Sequence, residues 1–157
     1  MSISPLRRGP HAVVALAFLA CTVARAEDGP RVASTPLLPT YKVECAACHV
    51  AYPPGLLPAT SWQRLMGDLP RHYGVDASLE AATTRTLAAW LVAHAASNAA
   101  APPADRITRS AWFAREHDEV GAATWALPAV QSRSNCAACH TRADQGDFHE
   151  RNIRIPR

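Results

Sequence analysis

The pentapeptide Cys-Ala-Ala-Cys-His occurs twice, at Cys45–His49 and at Cys136–His140, and no other feature restricts the possible folds of this chain as much. Two thiols separated by two residues and followed at once by an imidazole match the geometry of a c-type haem. The thiols add across the two vinyl groups, and the histidine reaches the iron from the same face. Rival uses of the pattern fit less well. A redox CxxC normally lies between a strand and a helix and has no need of the histidine. A structural zinc site would set its two pairs about 15 to 20 residues apart, whereas Cys45 and Cys136 are 91 apart. The expectation is therefore two covalently bound c-type haems with their irons. Cys45, Cys48, Cys136 and Cys139 would form the thioethers, and His49 and His140 would be the first iron ligands.

The N-terminus reads as an export signal over residues 1–26. Arg7 and Arg8 form its basic region, Ala12 to Val23 its apolar core, and Ala24-Arg25-Ala26 a cleavage site ahead of Glu27. The core is too short to span a bilayer, and no other run of about 18 apolar residues exists, so the processed chain is expected to be soluble in the periplasm and not membrane-spanning. Phe18-Leu19-Ala20 is a poor context for lipidation of Cys21, and Arg7-Arg8 lacks the flanks of a twin-arginine signal. Cleavage removes three of the sixteen basic residues, Arg7, Arg8 and Arg25, which leaves 13 against 13 acidic ones. Such a balance does not imply a nucleic-acid partner. Of the five cysteines only Cys21 leaves, so every remaining cysteine lies in a CAACH motif.

Pattern along the processed chain predicts a mainly α protein with no persuasive strand. Pro30, Pro36 and Pro39 suit an extended arm over 27–40. A first haem domain over 41–96 would hold a short helix from about Tyr41 carrying the first motif. It would continue with a helix capped by Ser61 with Trp62, Leu65, Met66 and Leu69 on one face. A third helix would be capped by Asp76 or Ser78, with Leu79, Leu87, Trp90 and Leu91 along its stripe. Residues 97–105, with Ala99-Ala100-Ala101-Pro102-Pro103, read as a linker. A second haem domain would occupy 106–157, with Ile107 to Arg115 helical, Gly121 to Ser134 mostly loop, and a tail from Gly146 wrapping the motif. Each lobe is too small to stay folded on apolar burial alone, and a covalent macrocycle would supply what is missing.

Each iron needs a sixth ligand. Of the seven histidines, His11 leaves with the signal and two are already assigned. His72, at the Arg71-His72-Tyr73-Gly74 turn after an amphipathic helix, is the first choice for the iron held by His49. His117, which follows Trp112 and Phe113, is the choice for the iron held by His140. His94 in an Ala-rich helix reads as an ordinary histidine, and His149 is too close to His140 in sequence to reach the opposite face of the same haem. Met66 is an alternative at the first site, although its spacing with Trp62 and Leu69 suits a core residue. Trp62, Trp90, Trp112 and Trp125 are expected to enclose porphyrin, and Arg106, Arg109, Arg115 and Arg133 are candidates to pair with propionates.

The run Glu44-Cys45-Ala46-Ala47-Cys48-His49-x-Ala51-Tyr52-Pro53-Pro54-Gly55-Leu56-Leu57-Pro58 with Ser61-Trp62, Leu65-Met66 and His72-x-Gly74 resembles the dihaem cytochrome c (DHC) family. So do Ser110-x-Trp112-Phe113-x-Arg115-Glu116-His117, Asn135 to His140, Gly146-Asp147-Phe148 and Ile153-x-Ile155-Pro156. The resemblance implies an N-terminal lobe like a class I cytochrome c, a short linker and a second, irregular haem-binding lobe. It also implies bis-histidine haems that transfer electrons to a small oxygen-binding high-spin cytochrome c and receive them from a membrane cytochrome b. An electron-transfer protein, not an enzyme, is the expected function. The competing readings are a dihaem peroxidase-like enzyme, which needs one five-coordinate iron, and a haem-based ligand sensor, which should bind carbon monoxide when reduced.

Overall fold

Proline placement decides where the helices begin. The computed structural model describes residues 35–157, so the expected signal over 1–26 and the first part of the expected arm lie outside the described residues. Helix α1, Pro39–Cys45, starts with proline in its first turn, where the missing N–H costs nothing. It therefore begins two residues inside the stretch expected to be extended. It also ends at Cys45, so the first motif leaves the helix at its first cysteine instead of riding on it, and Cys48 and His49 lie exposed on the turn that follows.

Helix α2, Ala59–Gly67, opens directly after Pro58, whose extended backbone places it just outside the first turn. Ser61 is thus the third helical residue and wholly buried, and it does not cap the helix as its residue type suggests. Helix α3, Ala81–Ala93, is capped by neither Asp76 nor Ser78. Asp76 uses its carboxylate on the backbone N–H of Ser78 in a local turn. The cap is Glu80, whose carboxylate accepts from Ala82 at 2.7 Å and Thr83 at 3.1 Å. Replacing Glu80 with alanine orphans those two donors, and the expected cost is about 1 kcal/mol of folding stability, read as a lowered denaturation midpoint with unchanged haem spectra.

Helices α2 and α3 pack together on the main core. Trp62 and Met66 from α2, Leu69 just beyond it, and Leu87 and Leu91 from α3 join Tyr41, Ala51 and Leu57. Trp62 satisfies its indole N–H by donating to the Pro54 carbonyl at 2.7 Å. Ala96 donates to the Leu57 carbonyl at 2.9 Å, which ties the end of α3 to the approach of α2.

The remainder is sparser. Helix α4, Ala111–Glu116, is capped by Ser110, whose Oγ accepts from Phe113 N–H at 3.0 Å. Helix α5, Ala122–Trp125, is one turn inside a stretch expected to be loop. The second motif starts as a single 3-10 turn, Cys136–Ala138. The tail folds back over it: Thr141 donates to the Asn152 carbonyl at 3.0 Å, and Arg154 donates to the Cys139 carbonyl at 2.8 Å. Only Phe113, Val130 and Ala143 are buried apolar residues in this part. The described residues contain no strands, only isolated bridges, and no helix among them is long and apolar enough to cross a membrane.

Candidate functional site

The exposed turn after α1 brings His49 beside the residues that follow α2. A short 3-10 segment, Leu69–Arg71, ends at His72, and the chain reverses there. Val75 donates to the His72 carbonyl at 3.1 Å, with positive φ at both Tyr73 (+52) and Gly74 (+97). Positive φ at both central residues is the signature of a type I′ turn, which suits Gly74 and strains Tyr73. Contacts of the Tyr73 side chain hold the strained residue. Its hydroxyl donates to the carbonyls of Ala104 at 3.1 Å and Asp105 at 3.0 Å, and the Arg106 guanidinium lies 4.2 Å over its ring. Asp105 in turn accepts two hydrogen bonds from Arg64 at 2.8 and 2.6 Å, and that guanidinium holds its carboxyl below the usual carboxylate range. The stretch expected to be a free linker is thus pinned at its end to the turn that carries His72.

The result is a facing pair of imidazoles, His49 and His72, with ring centres 6.2 Å apart. A second pair, His117 and His140, has ring centres 6.1 Å apart. His117 sits at the end of α4, where its ring stacks on Phe113 at 4.0 Å and lies 5.9 Å from Trp125. His140 follows the 3-10 turn of the second motif, with Phe148 at 5.2 Å. All eight residues expected to serve the site therefore fall into two groups, each with a motif and one distant histidine. His94 bonds the Trp90 carbonyl through Nδ1 in its own helix, and His149 is exposed. Met66 is buried in the α2–α3 core, as its spacing suggested. Of the four arginines considered for propionates, two are stacked on aromatic rings, Arg106 on Tyr73 and Arg133 on Trp125 at 4.8 Å.

Both groups fit a haem iron between the rings. Two nitrogen-to-metal bonds of about 2 Å, with roughly 1 Å more from each nitrogen to its ring centre, bring two imidazole centres to about 6 Å. His49 and His117 each donate from Nδ1 to a backbone carbonyl, Val50 at 2.8 Å and Phe113 at 2.9 Å, which leaves Nε2 with the free lone pair. His72 and His140 each keep a buried Nδ1 that no protein group satisfies. Burial, followed by the charge of the facing histidine, holds the pKa of both below the usual imidazole value, which favours the neutral form that binds metal. None of the four motif cysteines is engaged in a disulfide. Burial pushes Cys45 and Cys136 up to about 11, away from the low values of a redox CxxC. Among the described residues no group of three or more His, Cys, Asp or Glu side chains forms an alternative metal cluster.

The model of the dihaem cytochrome c family matches residues 41–148, both motifs and both histidine pairs included. The chain belongs to this family. Solved structures agree. A diheme cytochrome type c from Shewanella baltica is 39% identical, with a TM-score of 0.67 over 75% of this chain and 92% of its own. A diheme cytochrome c from Rhodobacter sphaeroides is 43% identical, with a TM-score of 0.63 over 73% of this chain and 100% of its own. The DHC purified from Rhodobacter sphaeroides is 48% identical, at 0.63 over 71% and 96%. No curated protein matches the chain. The cytochrome is mainly helical like those relatives, carries two covalently bound c-type haems, and belongs to a class of electron-transfer proteins.

Sequence reasoning missed Tyr52. Its ring stacks on His49 with centres 4.7 Å apart and planes 18° apart, and its hydroxyl donates to the Ser134 carbonyl at 2.8 Å. The partner lies 82 residues further along, so no local pattern could reveal it.

Proposed function

We propose that the cytochrome is an exported electron carrier in which both irons are held between two histidines, His49 with His72 and His140 with His117. The observation that carries this reading is the repeated spacing of the two ring pairs, 6.2 and 6.1 Å. Bound haem supplies a one-electron iron couple. The protein's own residues do the rest. Cys45, Cys48, Cys136 and Cys139 fix each macrocycle by thioethers. The Val50 and Phe113 carbonyls orient one imidazole of each pair, and the Tyr73 clamp holds the turn that presents His72. Protein nitrogens on both faces would leave neither iron a position for substrate, which favours electron transfer over peroxidase chemistry or ligand sensing.

The signal pattern over 1–26 supports placement in the periplasm. The family resemblance supports a small oxygen-binding high-spin cytochrome c as electron acceptor and a membrane cytochrome b as donor. A reduced holoprotein of this kind should show two low-spin irons and no change in its optical bands under carbon monoxide. Uptake of carbon monoxide at either iron would return the ligand-sensing or peroxidase-like reading.

A further inference from the structure

Tyr52 touches both haem-attachment regions through specific contacts. On one side its ring lies flat on the His49 imidazole. On the other its hydroxyl reaches the Ser134 carbonyl, two residues before Cys136. Among the described residues no other hydrogen bond joins 41–96 to 106–157.

Both ends of this bridge are anchored. The Tyr52 carbonyl accepts from the Tyr41 hydroxyl at 2.9 Å, and Tyr41 is 3% exposed in the main core. Ser134 donates through its N–H to Ser132 Oγ at 3.1 Å, and Asn135 donates to the carbonyl of fully buried Val130 at 3.1 Å. A tyrosine that only filled space would need neither a flat stack on a ligand ring nor a directed hydrogen bond to the other motif.

We propose that Tyr52 is a positioning residue that couples the two haem centres. It fixes the ring plane of the His49 imidazole and its placement against the Cys136 attachment segment. It thereby sets how strongly oxidation of one iron shifts the potential of the other. When an electron passes between the centres, one iron goes from ferrous to ferric and the other from ferric to ferrous. Tyr52 gains and loses neither an electron nor a proton. The inference rests on His49 being an iron ligand, as argued under the proposed function.

The test is a spectroelectrochemical titration with electron paramagnetic resonance of the ferric holoprotein, for the wild type, Tyr52→Phe and Tyr52→Leu. Tyr52→Phe keeps the stack and removes the hydrogen bond. A contact can bias an equilibrium only by its differential energy between the two states, and one neutral hydrogen bond is worth about fivefold. The spacing between the two one-electron waves should therefore narrow by up to roughly 40 mV, at about 59 mV per tenfold for one electron. Tyr52→Leu, which also loses the stack, should in addition shift the resonance of one low-spin iron and leave the other as it was. Wave spacing and resonances that stay at wild-type values in both variants, even with a lowered melting temperature, would reduce Tyr52 to a structural pin and overturn the proposal. A high-spin iron in the wild type would instead overturn the bis-histidine reading on which it rests.

Discussion

Exchanging His72 for methionine is expected to raise the potential of the first haem by on the order of 0.1 V, a modest part of the about 0.8 V range that axial ligands control, while the second haem moves by no more than the coupling between the two centres. His117→Met should do the converse. An imidazole donates more strongly to ferric iron than a thioether does, so the exchange favours the ferrous state and the potential rises. The effect should stay local because each distal histidine faces a different motif histidine, His72 opposite His49 and His117 opposite His140. Methionine is flexible enough to reach from either backbone position without forcing the turn. The sites are not equally tolerant, however. His72 precedes a strained turn that the Tyr73 hydroxyl and Arg64–Asp105 pair restrain, whereas His117 ends a capped helix and stacks on Phe113. Potentiometric titration with optical detection separates the two waves. Unchanged potentials and an unchanged bis-histidine spectrum in both variants would remove His72 and His117 from the irons.

Both attachment motifs were legible in the linear sequence because the cofactor dictates their spacing, and the fold can only accommodate it. His72 and His117 stand out in the sequence for a related reason. His72 stands where an amphipathic helix must end, and His117 follows aromatic residues at helical spacing, one of which, Phe113, does stack on it. Helix boundaries were read less well. Ser61 and Asp76 are good capping residues by type, but Pro58 opens α2 earlier, and Asp76 satisfies a nearer N–H in its own turn. Glu80 then caps with a longer side chain that residue preference ranks low. What stayed hidden altogether was non-local. The hold of Tyr73 on Ala104 and Asp105, and that of Tyr52 on Ser134, join segments far apart in the chain through backbone carbonyls, and a carbonyl is the same at every residue.

The second attachment site should matter more for folding than the first. Replacing both Cys136 and Cys139 with alanine is expected to give a protein one haem lighter by mass, in which amide protection over residues 106–157 collapses and the first haem survives. The reason lies in how little that region buries for itself. Phe113, Val130 and Ala143 are its only buried apolar side chains, and its secondary structure is two short helices and isolated 3-10 turns. Ordering each residue costs about 1 to 2 kcal/mol of backbone entropy, and three buried side chains cannot offset that over such a length. A porphyrin attached by two thioethers supplies both apolar surface and cross-links. The contacts that fold the tail over the motif, Thr141 with Asn152 and Arg154 with Cys139, close around that site and have little to close on without it. Around Cys45 and Cys48 the balance differs, since the α2–α3 core of Trp62, Met66, Leu87 and Leu91 is assembled from protein alone. Alanine at those two positions should remove one haem yet leave α2 and α3 protected. Hydrogen exchange followed by mass spectrometry compares the two double variants directly. Protection over 106–157 that persists without its haem would mean that this half folds on contacts among its own residues.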